Sequence, residues 1–205
     1  MSSQIRIAIS GGGVAGASLL HAILPYPHID AHIFESAPKF REAGVAFGVS
    51  NNARVAMDLV GPSARACLDR AGGVQMNASH AFIAQGEDTG QTVNSFPAQS
   101  TTIVQRANIL HEFLEGIPPE RMHASKKLTS VDRRNNGSLL LHFADGSSHE
   151  CDILIGADGV HSTVRKIVLG EDDPAAYAQN TGGWALMTLN PVSTTEDRTS
   201  MPALR

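Results

Sequence analysis

Gln4-Ile5-Arg6-Ile7-Ala8-Ile9-Ser10-Gly11-Gly12-Gly13-Val14-Ala15-Gly16 is the stretch that decides the fold class of this 205-residue chain. Isoleucine at every second position reads as a buried strand, and the glycines that end it read as a tight turn. Val14 to Leu24 continues with helical spacing until Pro25 to Ile29 breaks it, and Asp30 to Phe34 supplies a second short strand ending at Glu35. Strand, glycine turn, helix and strand in that order make a βαβ unit, the mark of an α/β fold.

Gly11 to Gly16 matches the spacing GxGxxG. Gly11 suits the sharp turn, Gly13 lets a ligand approach the backbone, and Gly16 lets the helix pack tightly. Amides at the start of the following helix, together with its dipole, attract the negative charge of a pyrophosphate. Glu35 stands where a carboxylate can accept ribose hydroxyls. A glycine turn alone also serves merely to reverse a chain, but the full ordered set points to dinucleotide binding. It does not separate NAD from FAD.

Working outward, Asn51 to Val60 has helical spacing, Pro62 fits the start of another helix, and Gly72 and Gly73 close it. Arg106 to Gly116 reads as a further helix with Ile109, Leu110, Phe113 and Leu114 on one side. Between Lys127 and Ile155, three β-like runs are separated by Asn135-Asn136-Gly137 and Asp145-Gly146-Ser147, which predicts an antiparallel meander. Its last strand, Cys151 to Ile155, leads through Gly156-Ala157-Asp158-Gly159 into a helix from about His161 to Leu169. Beyond Ala175 the pattern weakens to one β-like run around Trp184 to Leu189 and a polar tail.

Composition excludes several function classes. A net charge of -4, with no cluster of Lys and Arg among aromatics, argues against nucleic acid. The apolar runs are too short to span a bilayer and no signal-like segment opens the chain, so a cytoplasmic, non-membrane protein is expected. Cys67 and Cys151 show no pairing pattern and read as small buried hydrophobes. Nine histidines invite a metal reading, but His28 and His32 follow Pro25 and Pro27 in a β-like run and the other seven are scattered, so no metal site is expected. No Ser-His-Asp or Cys-His arrangement marks a catalytic centre.

Four places resemble the flavoprotein aromatic hydroxylases, the group of salicylate, kynurenine and 4-hydroxybenzoate hydroxylases. They are the glycine turn with Glu35; Phe40 to Ala53, similar to the segment that passes beside the flavin; Val104-Gln105-Arg106-Ala107-Asn108-Ile109-Leu110, similar to an Arg-x-x-Leu helix start; and Gly156-Ala157-Asp158-Gly159-Val160-His161-Ser162-Thr163-Val164-Arg165, close to the GADGxxSxVR signature. The second departs from the family's Gly-Ala-Gly and Pro-Asn, having Gly44-Val45-Ala46 and Asn51-Asn52.

The resemblance implies a Rossmann-like, glutathione-reductase-like FAD-binding domain over residues 1–175, with a substrate-side insertion at about 74–105, and an incomplete start of a substrate domain over 176–205. It implies FAD held by Gly11, Gly13, Val14, Ala15, Gly16, Glu35, Ala46, Gly48, Arg106, Leu128, Asp158 and Gly159. In the family, NADPH or NADH reduces the flavin, and one atom of O2 passes to an aromatic or related small molecule. The family's second signature, Gly-Asp-Ala-x-His-x-x-x-Pro, is absent, so the chain reads as truncated. A non-catalytic flavin-binding remnant and a nicotinamide dehydrogenase are the alternatives.

Overall fold

The computed structural model describes residues 4–41, 46–76, 79–96 and 101–183. In chain order its first half contains β1 (Ile5–Ser10), α1 (Val14–Ile23), β2 (Ile29–Phe34), β3 (Ala46–Val49), α2 (Asn51–Val60), α3 (Pro62–Arg70), β4 (Val74–Gln75), β5 (Ser79–Phe82) and β6 (Thr92–Phe96). The second contains β7 (Thr102–Gln105), α4 (Arg106–Leu114), β8 (Met122–His123), β9 (Leu128–Arg133), β10 (Leu139–Phe143), β11 (Ser148–Cys151), β12 (Ile153–Gly156) and α5 (Thr163–Leu169). Single 3₁₀ turns lie at Pro119–Arg121 and Pro174–Ala176.

A parallel sheet in the order β12-β1-β2-β8 forms the centre. Alternation along the strands gives this sheet two apolar faces. Ile7, Ile9, Ala31 and Ile33 pack with Leu20 of α1 and with Ile117. Ala8 and Phe34 pack on the other face with Leu128, Leu141, Phe143 and Cys151 of an antiparallel sheet in the order β11-β10-β9. The result is three layers: helix, parallel sheet, antiparallel sheet. A further core joins Ala17 of α1 to Ala64, Cys67 and Leu68 of α3, Ile109, Leu110 and Phe113 of α4, and Val49 and Val104 of the β3-β7-β4 sheet.

Three boundaries differ from the sequence reading, each for a local reason. The run Cys151 to Ile155 is two strands in two sheets, broken at Asp152. There the Arg6 N–H donates to the Asp152 carboxylate at 2.9 Å while the Asp152 N–H donates to the Arg6 carbonyl at 2.9 Å, and the chain turns from one sheet into the other. The helix expected to reach Gly116 stops at Leu114, because Glu115 is extended and Gly116 takes a φ of 76°. The helix expected from His161 begins at Thr163, because Ser162 caps it by accepting the Arg165 N–H at 2.9 Å. The run around Trp184 to Leu189 lies outside the described residues.

The glycine turn is held by the absence of β-carbons. At Gly16 a Cβ would lie 2.0 Å from the Gly11 carbonyl oxygen, and at Gly11 it would lie 2.3 Å from the Ala157 carbonyl oxygen. Gly12 is confined by side chains instead, since a Cβ there would lie 2.6 Å from the Phe40 ring. Gly16→Ala is therefore expected to destabilise the fold by about 1–3 kcal/mol or more, since the obstructing atom belongs to the backbone and not to a flexible side chain. Thermal unfolding followed by circular dichroism checks this, and an unchanged midpoint would refute the close approach.

Candidate cofactor cleft

The carboxyl ends of β1, β2 and β12 come together on one edge of the parallel sheet. Chain direction makes this inevitable: β1 lies between the other two, its connection to β2 runs through α1, and β12 arrives on its opposite side from the far end of the sequence. Such a switch point opens a crevice beyond the strand ends, where ligands bind in open α/β sheets. A cavity of about 700 Å³ lies there.

Of the residues singled out from the sequence, Gly11, Gly13, Val14, Ala15, Glu35, Arg106, Leu128, Asp158 and Gly159 line this cavity. Gly16 lies behind the turn against Gly11 and Ile33 and has a packing position. Ala46 and Gly48 are on β3, paired with Gln105 and Ile103, and it is Phe47 between them that reaches the cavity. Residues 42–45 of the same segment lie outside the described residues. Lys126, Lys127, Ser36 and Thr163 also line the cleft and were missed. Adjacent lysines immediately before Leu128 were the available signal for the first two.

Gly13 begins α1 in an extended conformation, with φ −74° and ψ −174°, and contributes no side chain to cap it. Gly13, Val14 and Ala15 line the cavity, so the positive end of this ten-residue helix faces the cleft, and its first turn carries no acidic residue to offset it. Glu35 is fixed from two sides. One carboxylate oxygen accepts the Gly12 N–H at 2.6 Å, and the other accepts the Ala37 N–H at 2.7 Å and the Ser36 hydroxyl at 3.0 Å. A carboxylate has about four acceptor positions, so one remains for a ligand hydroxyl. Lys126 reaches Asp145 at 2.5 Å and Ser147 at 2.7 Å, and that contact holds the Asp145 carboxyl well below the usual carboxylate range.

Asp158 is bound within its own signature. It accepts the Thr163 N–H at 2.7 Å, the Val164 N–H at 3.1 Å and the Ser162 hydroxyl, while Arg165 donates to the Val160 carbonyl at 2.6 Å. Thus GADGxxSxVR builds the start of α5 before any ligand is considered. Both cysteines are buried and free. Burial raises the Cys67 thiol and pushes Cys151 up to about 11, so both behave as apolar packing groups. Among the described residues no group of three or more His, Cys, Asp or Glu could hold a metal ion, and no helix is long and apolar enough to cross a membrane.

A glycine turn, an acid at the second strand and a switch-point cleft place the chain in the class of α/β proteins with a Rossmann-like dinucleotide fold. No protein-family model matches it. The 6-methylsalicylate 1-monooxygenase of Aspergillus terreus is 32% identical over 207 residues, covering 96% of this chain and 46% of that protein. The salicylate hydroxylase of Pseudomonas putida is 33% identical over 171 residues, covering 80% of this chain and 38% of the other. Among solved structures, 2,6-dihydroxypyridine-3-hydroxylase from Arthrobacter nicotinovorans matches with a TM-score of 0.64 and 27% identity, over 83% of this chain and 41% of that one. Klebsiella pneumoniae HpxO, solved with FAD and uric acid, shares the fold with a TM-score of 0.66 at 22% identity, over 83% of this chain and 43% of that one. The chain is therefore a homologue of FAD-dependent monooxygenases of the salicylate hydroxylase kind, and it spans about half the length of the curated relatives it matches.

Because Asp158 caps α5, Asp158→Ala is expected to lower stability by about 1–2 kcal/mol even without any ligand. Urea unfolding of the variant measures it. A native midpoint would show that the signature carboxylate has no part in holding the fold.

Proposed function

We propose that this chain is the FAD-binding part of an NAD(P)H-dependent monooxygenase that acts on an aromatic or related small molecule, with a glutathione-reductase-like cofactor domain over residues 1–175. The observation that carries the reading is the meeting of the glycine turn, Glu35, Arg106, Leu128 and the Asp158-Gly159 turn around one cleft. The cleft suits FAD in its chemistry. The N-terminal end of α1, with its positive dipole, and the Arg106 side chain favour a pyrophosphate, and the remaining acceptor position of Glu35 favours a ribose hydroxyl. Leu128, buried at the start of β9, offers an apolar wall beside it.

Bound FAD would take a hydride from the nicotinamide donor and activate O2 for transfer of one oxygen atom to an electron-rich ring. The chain's own residues would orient the cofactor. The α1 amides hold the diphosphate, Glu35 fixes the ribose and braces Gly12 at once, and Phe47 approaches from the β3 side. Exclusion of water from the reacting centre requires a cover. An apolar cavity of about 440 Å³ lies between α1, α2, β3 and α4, and α2 buries none of its residues, with Leu59 84% exposed. The half of the relatives' length that this chain does not span would cover this face.

Two outcomes follow for the 205-residue chain. Flavin fluorescence titration should give saturable FAD binding that Gly13→Val abolishes with near-native circular dichroism, and that Glu35→Ala weakens about tenfold to a hundredfold. Native affinity in both variants would remove the cofactor assignment. Parallel assays of NADPH oxidation, hydrogen peroxide and product with phenolic acids should show peroxide without oxygenated product. Tightly coupled hydroxylation by this chain alone would overturn the need for a cover.

A further inference from the structure

Three histidines far apart in the sequence share one aromatic cluster between the parallel and antiparallel sheets: His32 of β2, His123 of β8 and His149 of β11. His32 Nδ1 lies 2.9 Å from His123 Nε2, and the two rings stack with centroids 5.2 Å apart. His149 is 5.4 Å from His32 and 6.4 Å from His123. Phe34 closes the group, 4.7 Å from both His123 and His149, and stacks at 4.9 Å on Phe143. The nitrogen-to-nitrogen bond needs one neutral ring as acceptor, because two imidazolium rings would turn hydrogen toward hydrogen.

The charges around His123 and His149 act in both directions: Asp30 favours a charge on His149, while the neighbouring rings and cations oppose one. Asp30 on β2 is 3.4 Å from His32 Nε2, but Arg121 already pairs with it at 2.7 Å. Lys126 opposes a charge on His123, and Arg6 of β1, tied to Glu150 at 3.0 Å and Asp152 at 2.6 Å, opposes one on His149. His142 of β10 and Asp132 of β9 pair with each other at 2.9 Å on the outer face of the antiparallel sheet, away from Leu141 and Phe143. Burial is the largest cause that lowers both His123 and His149, and the neighbouring rings add to it.

The cluster is joined to the cleft. Phe34, which it surrounds, also lines the cavity. The His123 carbonyl accepts the Glu35 N–H at 2.8 Å, and Lys126 and Ser125 donate their N–H groups to the Glu35 and Ala37 carbonyls at 2.7 and 2.9 Å. The chain from His123 to Leu128 is therefore stitched to the segment that holds Glu35 and then continues as the cleft wall.

We propose that His123 and His149, packed against His32 and Phe34, form a proton-sensitive latch, which keeps this wall in its cofactor-binding arrangement while their two rings are neutral and loosens it, releasing FAD, when they become charged. The release rests on the cofactor reading above; the latch itself does not. His123 and His149 lie below the ordinary histidine value of 6.5 in the folded chain, so the native state binds fewer protons than the unfolded one. Stability is then complete above pH 6.5 and is lost as pH falls from there through the depressed values.

The test measures urea midpoints of the 205-residue chain without FAD, and FAD dissociation constants, between pH 8 and roughly pH 5. In the native chain the midpoint should fall below pH 6.5, and the dissociation constant should rise up to about tenfold per pH unit for each proton taken up on release. His149→Phe keeps a ring against Phe34 and should flatten both slopes; His149→Gln, which removes the charge without adding bulk, should do the same and serves if the first does not fold. A pH-independent midpoint in the native chain, or an unchanged slope in the folded variant, would overturn the latch. Absence of FAD binding at every pH, with the midpoint still falling, would instead refute the cofactor reading and leave the latch standing.

Discussion

A β-carbon at Gly16 would stand 2.0 Å from the Gly11 oxygen and one at Gly11 would stand 2.3 Å from the Ala157 oxygen, so the end of β1, the start of α1 and the turn after β12 fit together only because those side chains are missing. The rest of the site depends on that closeness. With α1 seated on the strand ends, its positive terminus and the carboxylate of Glu35 come to face the same crevice, and Gly12 becomes the link between them through its N–H. Moving the helix outward by the width of one methyl group would separate the dipole, the acid and the turn at Asp158 that together make the cleft.

Much of this was legible locally. The isoleucine alternation of β1, the glycines and the return strand ending at Glu35 are neighbours in sequence, and each is read from rules that operate over a few residues. The pairing of β1 with β12 was not readable from either strand, because Ile7 and Ile153 meet only through the topology of the whole sheet. Asp152 shows the same limit on a smaller scale: a run that reads as one apolar strand is split between two sheets where one carboxylate clasps Arg6. The histidine cluster was invisible for a related reason, since 91 residues separate His32 from His123.

The two signature acids brace the backbone around the cleft that they line. Asp158 uses both carboxylate oxygens on the first turn of α5 and on Ser162, and Arg165 is spent on the Val160 carbonyl and, at 3.3 Å, on that of Ala176. These residues shape the turn whose backbone lines the cleft. Glu35 also supports the backbone, through Gly12 and Ala37, but retains acceptor capacity toward the cavity. A sequence motif records only that both acids are needed. Counting their hydrogen bonds shows that each carboxylate accepts three from the fold and keeps one acceptor position, so both brace the backbone while lining the cleft.

The distribution of polarity over the molecule sets this cleft apart. The crevice at the strand ends carries Glu35, Arg106, Lys126, Lys127 and Asp158, so it is furnished for a charged, hydroxylated ligand. On the far side of Val14 and Phe47, which border both cavities, the second cavity is lined by Leu19, Val49, Ala53, Met57, Val60 and Ile109 and offers almost nothing to a polar group. Apolar side chains left at a concave surface favour contact with another apolar surface over water. One wall of side chains thus separates a polar crevice from an apolar one, and a cofactor held in the first would lie beside whatever covers the second. In such an arrangement, binding of the cofactor and covering of the apolar face share Val14 and Phe47, so whatever orders those two side chains favours both.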